Sequence, residues 1–173
     1  MTSSTEDNGG QGPDYTTSMR TDRCGDLRSD DVGRQVTLCG WVARRREHGE
    51  HLAFVDLRDR SGIIQVVVDG AADLRSEYVL QVTGQVRERP ADTANDALST
   101  GAIEVDASEV TILSASEPPP FPLDERTDVD EVLRLRHRYV DLRRPRLQKN
   151  LEVRATVNSA VRTAMEEQGF IEV

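Results

Sequence analysis

The side chains with chemical potential in this chain are few, and their spacing is informative. Arg44, Arg45 and Arg46 form a cationic triplet, and Phe54 follows in a run where it alternates with Asp56 and Arg58. Val55 and Leu57 occupy the intervening positions. Successive side chains of a strand point to opposite faces, and one face must be buried. Phe54 therefore falls on the wet face, among charges. A ring beside guanidinium groups can stack an unpaired base while the cations meet phosphate. A ring at the end of a barrel, covered by a loop, would give the same pattern, and this stretch alone leaves both readings open. Gln65 interrupts the apolar face that runs from Ile63 to Val67. A polar group in mid-strand needs a partner or water, so Gln65 either reads a base edge or bonds to a neighbour.

Charge points the same way once it is resolved along the chain. The net charge is −9, which taken whole opposes binding to a polyanion. Residues 134–149, however, carry seven basic side chains against Asp141 alone, whereas residues 61–123 carry three basic and ten acidic ones. Attraction to nucleic acid depends on the local field, which salt screens beyond about 8 Å. An acidic protein can therefore keep a basic docking strip. The competing reading is a solvated helix face with local ion pairs.

Other functions lack their residues. There is no Gly-rich phosphate loop, no metal-ligand cluster and no nucleophile, base and orienter in order. His48, His51 and His137 are scattered and read as surface positions. Two cysteines, Cys24 and Cys39, are too few for a structural zinc site and read as reduced thiols. No apolar run approaches the length of about 18 residues that a membrane-spanning helix needs, and no export signal precedes the ordered pattern. A cytosolic protein is expected.

The elements that must position these residues are mostly short strands. Residues 1–18 are polar and Gly-rich, the composition of a disordered tail. Leu27 anchors a turn-like or briefly helical approach to the first strand. Strands are expected over about Gln35–Arg44, Leu52–Asp59, Ile63–Asp69, Tyr78–Glu88 and Ile103–Leu113, the last with a bulge near Ser108. A loop is expected over Arg45–Glu50, a hairpin turn at Arg60-Ser61-Gly62, and a turn or short helix over Gly70–Ser76. Five strands with one longer connection between the third and fourth predict a mainly β chain built on a five-stranded Greek-key barrel of the OB type, whose second and third strands carry the ligand face. That face would hold Phe54 and Gln65 together. The domain bounds expected are 19–113 for the barrel, 114–123 for a stiff Pro-rich linker and 124–173 for a helical hinge segment. Within the last, Asp130–Tyr139 reads as a short helix and Arg146–Gln168 as a long one, with Pro145 in its first turn, Gly169 as its stop, and Leu147, Leu151, Ala155, Val161 and Met165 as its apolar stripe. Phe170–Val173 reads as the start of a further strand, and hence of a second domain that has been cut off.

Four segments carry a resemblance to the N-terminal third of bacterial-type (class IIb) aspartyl-tRNA synthetases: Arg20–Arg28 (RTDRCGDLR), Val36–Gln65, Thr100–Val105 (TGAIEV) and Arg138–Pro145 (RYVDLRRP). The resemblance spans about residues 19–173. It implies an anticodon-binding barrel, a hinge, and the start of the first class II signature at Phe170–Val173, part of a homodimer interface in the complete enzyme. Phe54 matches the aromatic that stacks on the middle anticodon base, and Gln65 the residue that reads that base. Glu104 matches a carboxylate at the first anticodon base; without the family it would read as a solvated strand residue. Arg46 and Arg89 match basic residues around the anticodon loop, while Arg44, Arg143 and Arg144 would meet the tRNA backbone.

The partner implied is tRNA(Asp). His48 occupies a position that varies between strict enzymes and relaxed ones that also charge tRNA(Asn), and leans to the relaxed type. ATP and Mg are implied for the complete enzyme and no cofactor for this chain, because the second and third class II signatures have no counterpart here. The chain alone is expected to be inactive. The alternatives are a stand-alone, non-catalytic RNA-binding barrel or a protein that docks on a synthetase. Two departures stand out: the loop after Arg46 is one residue longer than usual, and the segment between the third and fourth strands is shorter by a helical turn or more.

Overall fold

The computed structural model describes residues 19–173, apart from Glu50, Ala71 and Ala72 and the side chains of His48 and Ala91. The tail expected over residues 1–18 thus lies outside the described residues. The chain divides between Pro118 and Pro119 into two compact units.

The first unit is a closed five-stranded barrel: β1 (Gln35–His48), β2 (Leu52–Arg58), β3 (Ile63–Asp69), β4 (Val79–Glu88) and β5 (Ile103–Ser114) in the order β1-β2-β3-β5-β4. β3 and β5 run parallel, and every other pairing is antiparallel. This is the expected OB-fold. Period-two patterning fills its interior: Val36, Leu38 and Val42 from β1, Val55 and Leu57 from β2, and Leu80, Val82 and Val86 from β4 are all buried. β1 is longer than expected and replaces much of the predicted loop. Its first half pairs with β4, from Gln35↔Gln85 to Trp41↔Val79. Its second half pairs with β2, from Trp41↔Arg58 to His48↔Leu52, across an irregularity between Val42 and Arg44. One strand serving two neighbours through a bulge is how a small sheet closes. The bulge near Ser108 is present, since Thr83 pairs with Glu109 and Gly84 with Ala107. At Gly84 a Cβ would stand 2.3 Å from the Asp106 carbonyl oxygen, so only glycine admits the close approach at this corner. The longest connection is the one between β4 and β5, not the expected one between β3 and β4.

The N-terminal approach is tied to the β2–β3 hairpin. Asp59 accepts from the backbone N–H groups of Cys24, Ser61 and Gly62, and the Ser61 hydroxyl accepts from Gly25 N–H. Cys24 and Leu27 are thereby buried in the barrel core. Burial, helped by Asp59, pushes the Cys24 thiol well above its ordinary pKa, so it sits there protonated.

The second unit holds three helices: α1 (Glu131–Arg136), α2 (Arg138–Asp141) and α3 (Pro145–Glu167). Asp130 caps α1 by accepting from Val132 and Leu133 N–H. The single helix expected over Asp130–Tyr139 is interrupted at His137, whose φ of −113° leaves the helical region. Phe121 and Leu123, from the end of the expected linker, are buried with Val140, so that end is packed rather than free. The apolar stripe of α3 is largely exposed, with Leu151, Val161 and Met165 all open to solvent. Phe170–Val173 forms no strand. Gly169 (φ +81°) ends the helix, Phe170 N–H turns back to the Met165 carbonyl, and Glu172 pairs with Arg162 at 2.8 Å.

Asp141 is fully buried and accepts from Arg134 Nε at 2.8 Å and from Arg138 Nη1. The hydrogen bond from Arg134 comes first in holding its carboxyl below the usual aspartate range. A depressed native pKa stabilises the fold fully above the unfolded value of about 4, and that stability drains as pH falls towards the native value. Asp141→Asn should cost the helical unit about 1–3 kcal/mol at neutral pH. In urea melts followed by helical circular dichroism, the gap between the two proteins should close as pH drops below about 4.

Candidate nucleic-acid interface

The outward side chains of the barrel converge on one wall. Strand register sets them in a row that crosses all five strands: Arg44↔Asp56 (β1–β2), Asp56↔Gln65 (β2–β3), Gln65↔Glu104 (β3–β5) and Glu104↔Arg87 (β5–β4). One pleat further along, Arg46 pairs with Phe54, Phe54 with Val67, and Val67 with Asp106. Together with Arg89 and the β4–β5 loop at Pro90, Thr93, Asn95 and Leu98, these residues line a pocket of about 580 Å³. That is ample room for a flat ring system.

The polar groups in the middle of the wall satisfy one another. Glu104 is 3% exposed, and a buried carboxylate is tolerated only with donors. Its Oε1 accepts from Arg87 Nε at 2.8 Å and its Oε2 from Gln65 Nε2 at 2.7 Å. Gln65 Oε1 in turn accepts from Arg46 Nη2 at 2.9 Å, and the same nitrogen donates to Asp56 Oδ1 at 2.9 Å. Arg87 Nη1 donates to Asp106 Oδ2 at 3.0 Å. Of the two possibilities left open for Gln65, the structure shows the second: it bonds to its neighbours Arg46 and Glu104. Phe54 is half-buried on the same wall, between Leu52 and Asp56 along β2. Arg89 is nearly buried, and its Nε donates to the Ile103 carbonyl. Burial lowers its guanidinium pKa, against the pull of the Glu104 and Asp56 carboxylates. Its Nη2 is buried and meets no acceptor among the described residues.

The structure therefore brings Phe54, Gln65, Glu104, Arg46, Arg89 and Arg44 together in one pocket. Arg143 and Arg144 belong to the second unit. Arg144 is not placed to meet a phosphate, because it is buried and its Nη2 donates to the carbonyls of Asp124 and Thr127. The spare capacity expected of it is used inside its own unit. Sequence reasoning missed Arg87, Asp56 and Asp106 as members of the site. A signal was present: Arg87 stands two residues before Arg89, and Asp106 two after Glu104, the spacing that shares a strand face.

Comparison with known proteins agrees with this fold. Residues 36–113 match the family described as OB-fold nucleic acid binding domain, and residues 130–173 match tRNA synthetases class II (D, K and N). An aspartate–tRNA(Asp/Asn) ligase of Pseudarthrobacter chlorophenolicus is 50% identical over 158 residues, 90% of this chain. One from Heliobacterium modesticaldum is 48% identical over 168 residues, 92% of this chain. The chain is similar to these aspartate–tRNA(Asp/Asn) ligases over about nine-tenths of its own length. It spans 26% and 28% of the length of those two relatives. The fold recurs in the aspartyl-tRNA synthetase of Entamoeba histolytica, with a TM-score of 0.79 at 17% identity over 94% of this chain and 40% of that one. It recurs again in the asparaginyl-tRNA synthetase of Pyrococcus horikoshii, with a TM-score of 0.69 at 24% identity over 88% of this chain and 35% of that one.

Because Gln65 bridges Arg46 and Glu104, its loss should be felt in the fold of the barrel. Gln65→Ala should destabilise it by about 1–3 kcal/mol, the cost of leaving a buried acceptor without its donor. Gln65→Glu, which sets two carboxylates side by side, should cost more. Chemical denaturation of the two variants beside the wild type measures both.

Proposed function

We propose that the barrel binds the anticodon loop of a tRNA and that this binding serves aspartylation of that tRNA in a protein that also carries the rest of the class II region. The observation that carries the reading is the coincidence, on one rigid wall, of an aromatic ring, an amide and a carboxylate. Single-stranded RNA is recognised by splaying its bases onto aromatic faces and bonding their edges. Phe54 supplies the stacking face for the middle base and Gln65 reads its edge. Glu104 accepts from the amino or imino groups of the first base, since a carboxylate can only accept. Arg46 and Arg44 border the ring and face the backbone. Arg89 contributes a buried donor whose cost of desolvation is recovered when the ligand brings an acceptor.

The tRNA partners proposed are tRNA(Asp) and tRNA(Asn). Aspartate and asparagine codons differ only in their first letter, so the two anticodons share their first two bases, the two assigned to these side chains. The names of the curated relatives, aspartate–tRNA(Asp/Asn) ligases, accord with this. His48, whose side chain lies outside the described residues, stays a candidate for the remaining discrimination. Phe170–Val173 and the exposed stripe of α3 belong in this reading to the homodimer interface. ATP and Mg belong to the aspartylating protein. Among the described residues no group of His, Cys, Asp or Glu suits a metal ion, and no step assigned to this chain runs through either cofactor.

The chain should bind an RNA hairpin carrying the tRNA(Asp) anticodon loop and bind less well when the middle base is changed, as read by fluorescence anisotropy. Phe54→Ala should weaken that binding by about 1–3 kcal/mol, the worth of one stacked base. Unchanged affinity in the variant would remove the stacking assignment.

A further inference from the structure

Six side chains of the pocket form one unbranched hydrogen-bonded chain, Asp56–Arg46–Gln65–Glu104–Arg87–Asp106, to which every strand of the barrel contributes. The chain is symmetric in kind, with an amide and a carboxylate in the middle, an arginine on either side and a carboxylate at each end. The middle is closed to solvent, Gln65 at 5% and Glu104 at 3% exposed. The ends are open, the Asp56 and Asp106 side chains being 21% and 53% exposed. We infer that Asp56 and Asp106 act as internal competitors for Arg46 and Arg87, and so make the pocket select unpaired bases over bare phosphate. This rests on the RNA-binding reading above and extends it to how that site discriminates.

Satisfying buried groups does not require the two end carboxylates. Glu104 already has a donor on each oxygen, from Arg87 and Gln65. Stability does not require Asp106 either, since an ion pair so exposed contributes little to a fold. What the end carboxylates change is the field. Without them the wall would present Arg44, Arg46, Arg87 and Arg89 against Glu104 alone, a surface that attracts any polyanion. With them, Arg46 and Arg87 are each occupied until a ligand displaces the carboxylate. A phosphate offers only acceptors and is repelled by the same carboxylates that hold the arginines. A base edge offers donors as well as acceptors and can take up the freed carboxylate together with the freed arginine. Specificity is then raised by repulsion of the wrong partner, not only by attraction of the right one.

The test uses the full chain, wild type and with Asp106→Asn or Asp56→Asn, titrated by fluorescence anisotropy against three labelled probes. These are the anticodon-loop hairpin, the same hairpin with a scrambled loop, and inorganic polyphosphate. Each substitution should raise affinity for polyphosphate and for the scrambled hairpin about two- to fivefold, the range expected when an exposed ion pair is released. Affinity for the matched hairpin should rise less, so that the ratio of matched to scrambled binding falls, and the salt dependence should steepen. Equal gains on all three probes, no gain on any, or weaker binding of the matched hairpin would each overturn the inference, the last by making the carboxylates positioning groups. Asp106→Asn lies at the more exposed end and carries the test if Asp56→Asn lowers the thermal midpoint. A wild-type chain that binds the matched and scrambled hairpins equally would instead overturn the anticodon reading itself.

Discussion

A carboxylate enclosed by a β-sheet wall has to find hydrogen-bond donors, and the donors Glu104 finds organise the outer face of this barrel. Arg87 on β4 and Gln65 on β3 reach it from the two strands that flank β5. Both contacts depend on register. A slip of one residue in the parallel pairing of β3 with β5 would turn Glu104 towards the apolar interior and Val105 towards solvent. The same interaction that satisfies a buried charge thus penalises the wrong alignment of the one parallel pair in the barrel.

For the recognition proposed, the consequence is a pocket whose polar groups are already held in place by one another. Gln65 is oriented at both ends of its amide, and Glu104 at both oxygens, by neighbours that belong to the sheet. Groups held in this way need little ordering on binding, which lowers the entropic cost of association. They must, however, exchange one hydrogen bond for another. In the proposed role such a wall would discriminate more by the quality of the exchange than by the strength of its field, as suits a chain whose net charge is −9.

The second unit shows a different use of charge. The segment RYVDLRRP, one of the four that carry the resemblance, is largely structural here: Asp141 gathers Arg134 and Arg138, and Arg144 ties down the carbonyls of Asp124 and Thr127. The basic strip seen in the sequence is real, but part of it is neutralised within the unit. A count of arginines along a chain cannot separate those that face solvent from those that close a turn. That depends on partners such as Asp124, 20 residues away from Arg144.

By itself the sequence determined the strands, their buried faces and the bulge at Ser108, because period-two alternation and turn residues are local properties of a chain. It also placed Phe54 and Gln65 on the outer face, since a strand has only two sides. The extension of β1 to His48, the failure of Phe170–Val173 to become a strand and the capture of Arg144 were decided by tertiary structure. A strand exists only where another backbone pairs with it, and a cation is available only where no carbonyl or carboxylate has taken it. Arg87, Asp56 and Asp106 entered the site for the same reason: the closure of five strands set them beside Glu104 and Arg46, a neighbourhood that no single stretch of the chain contains.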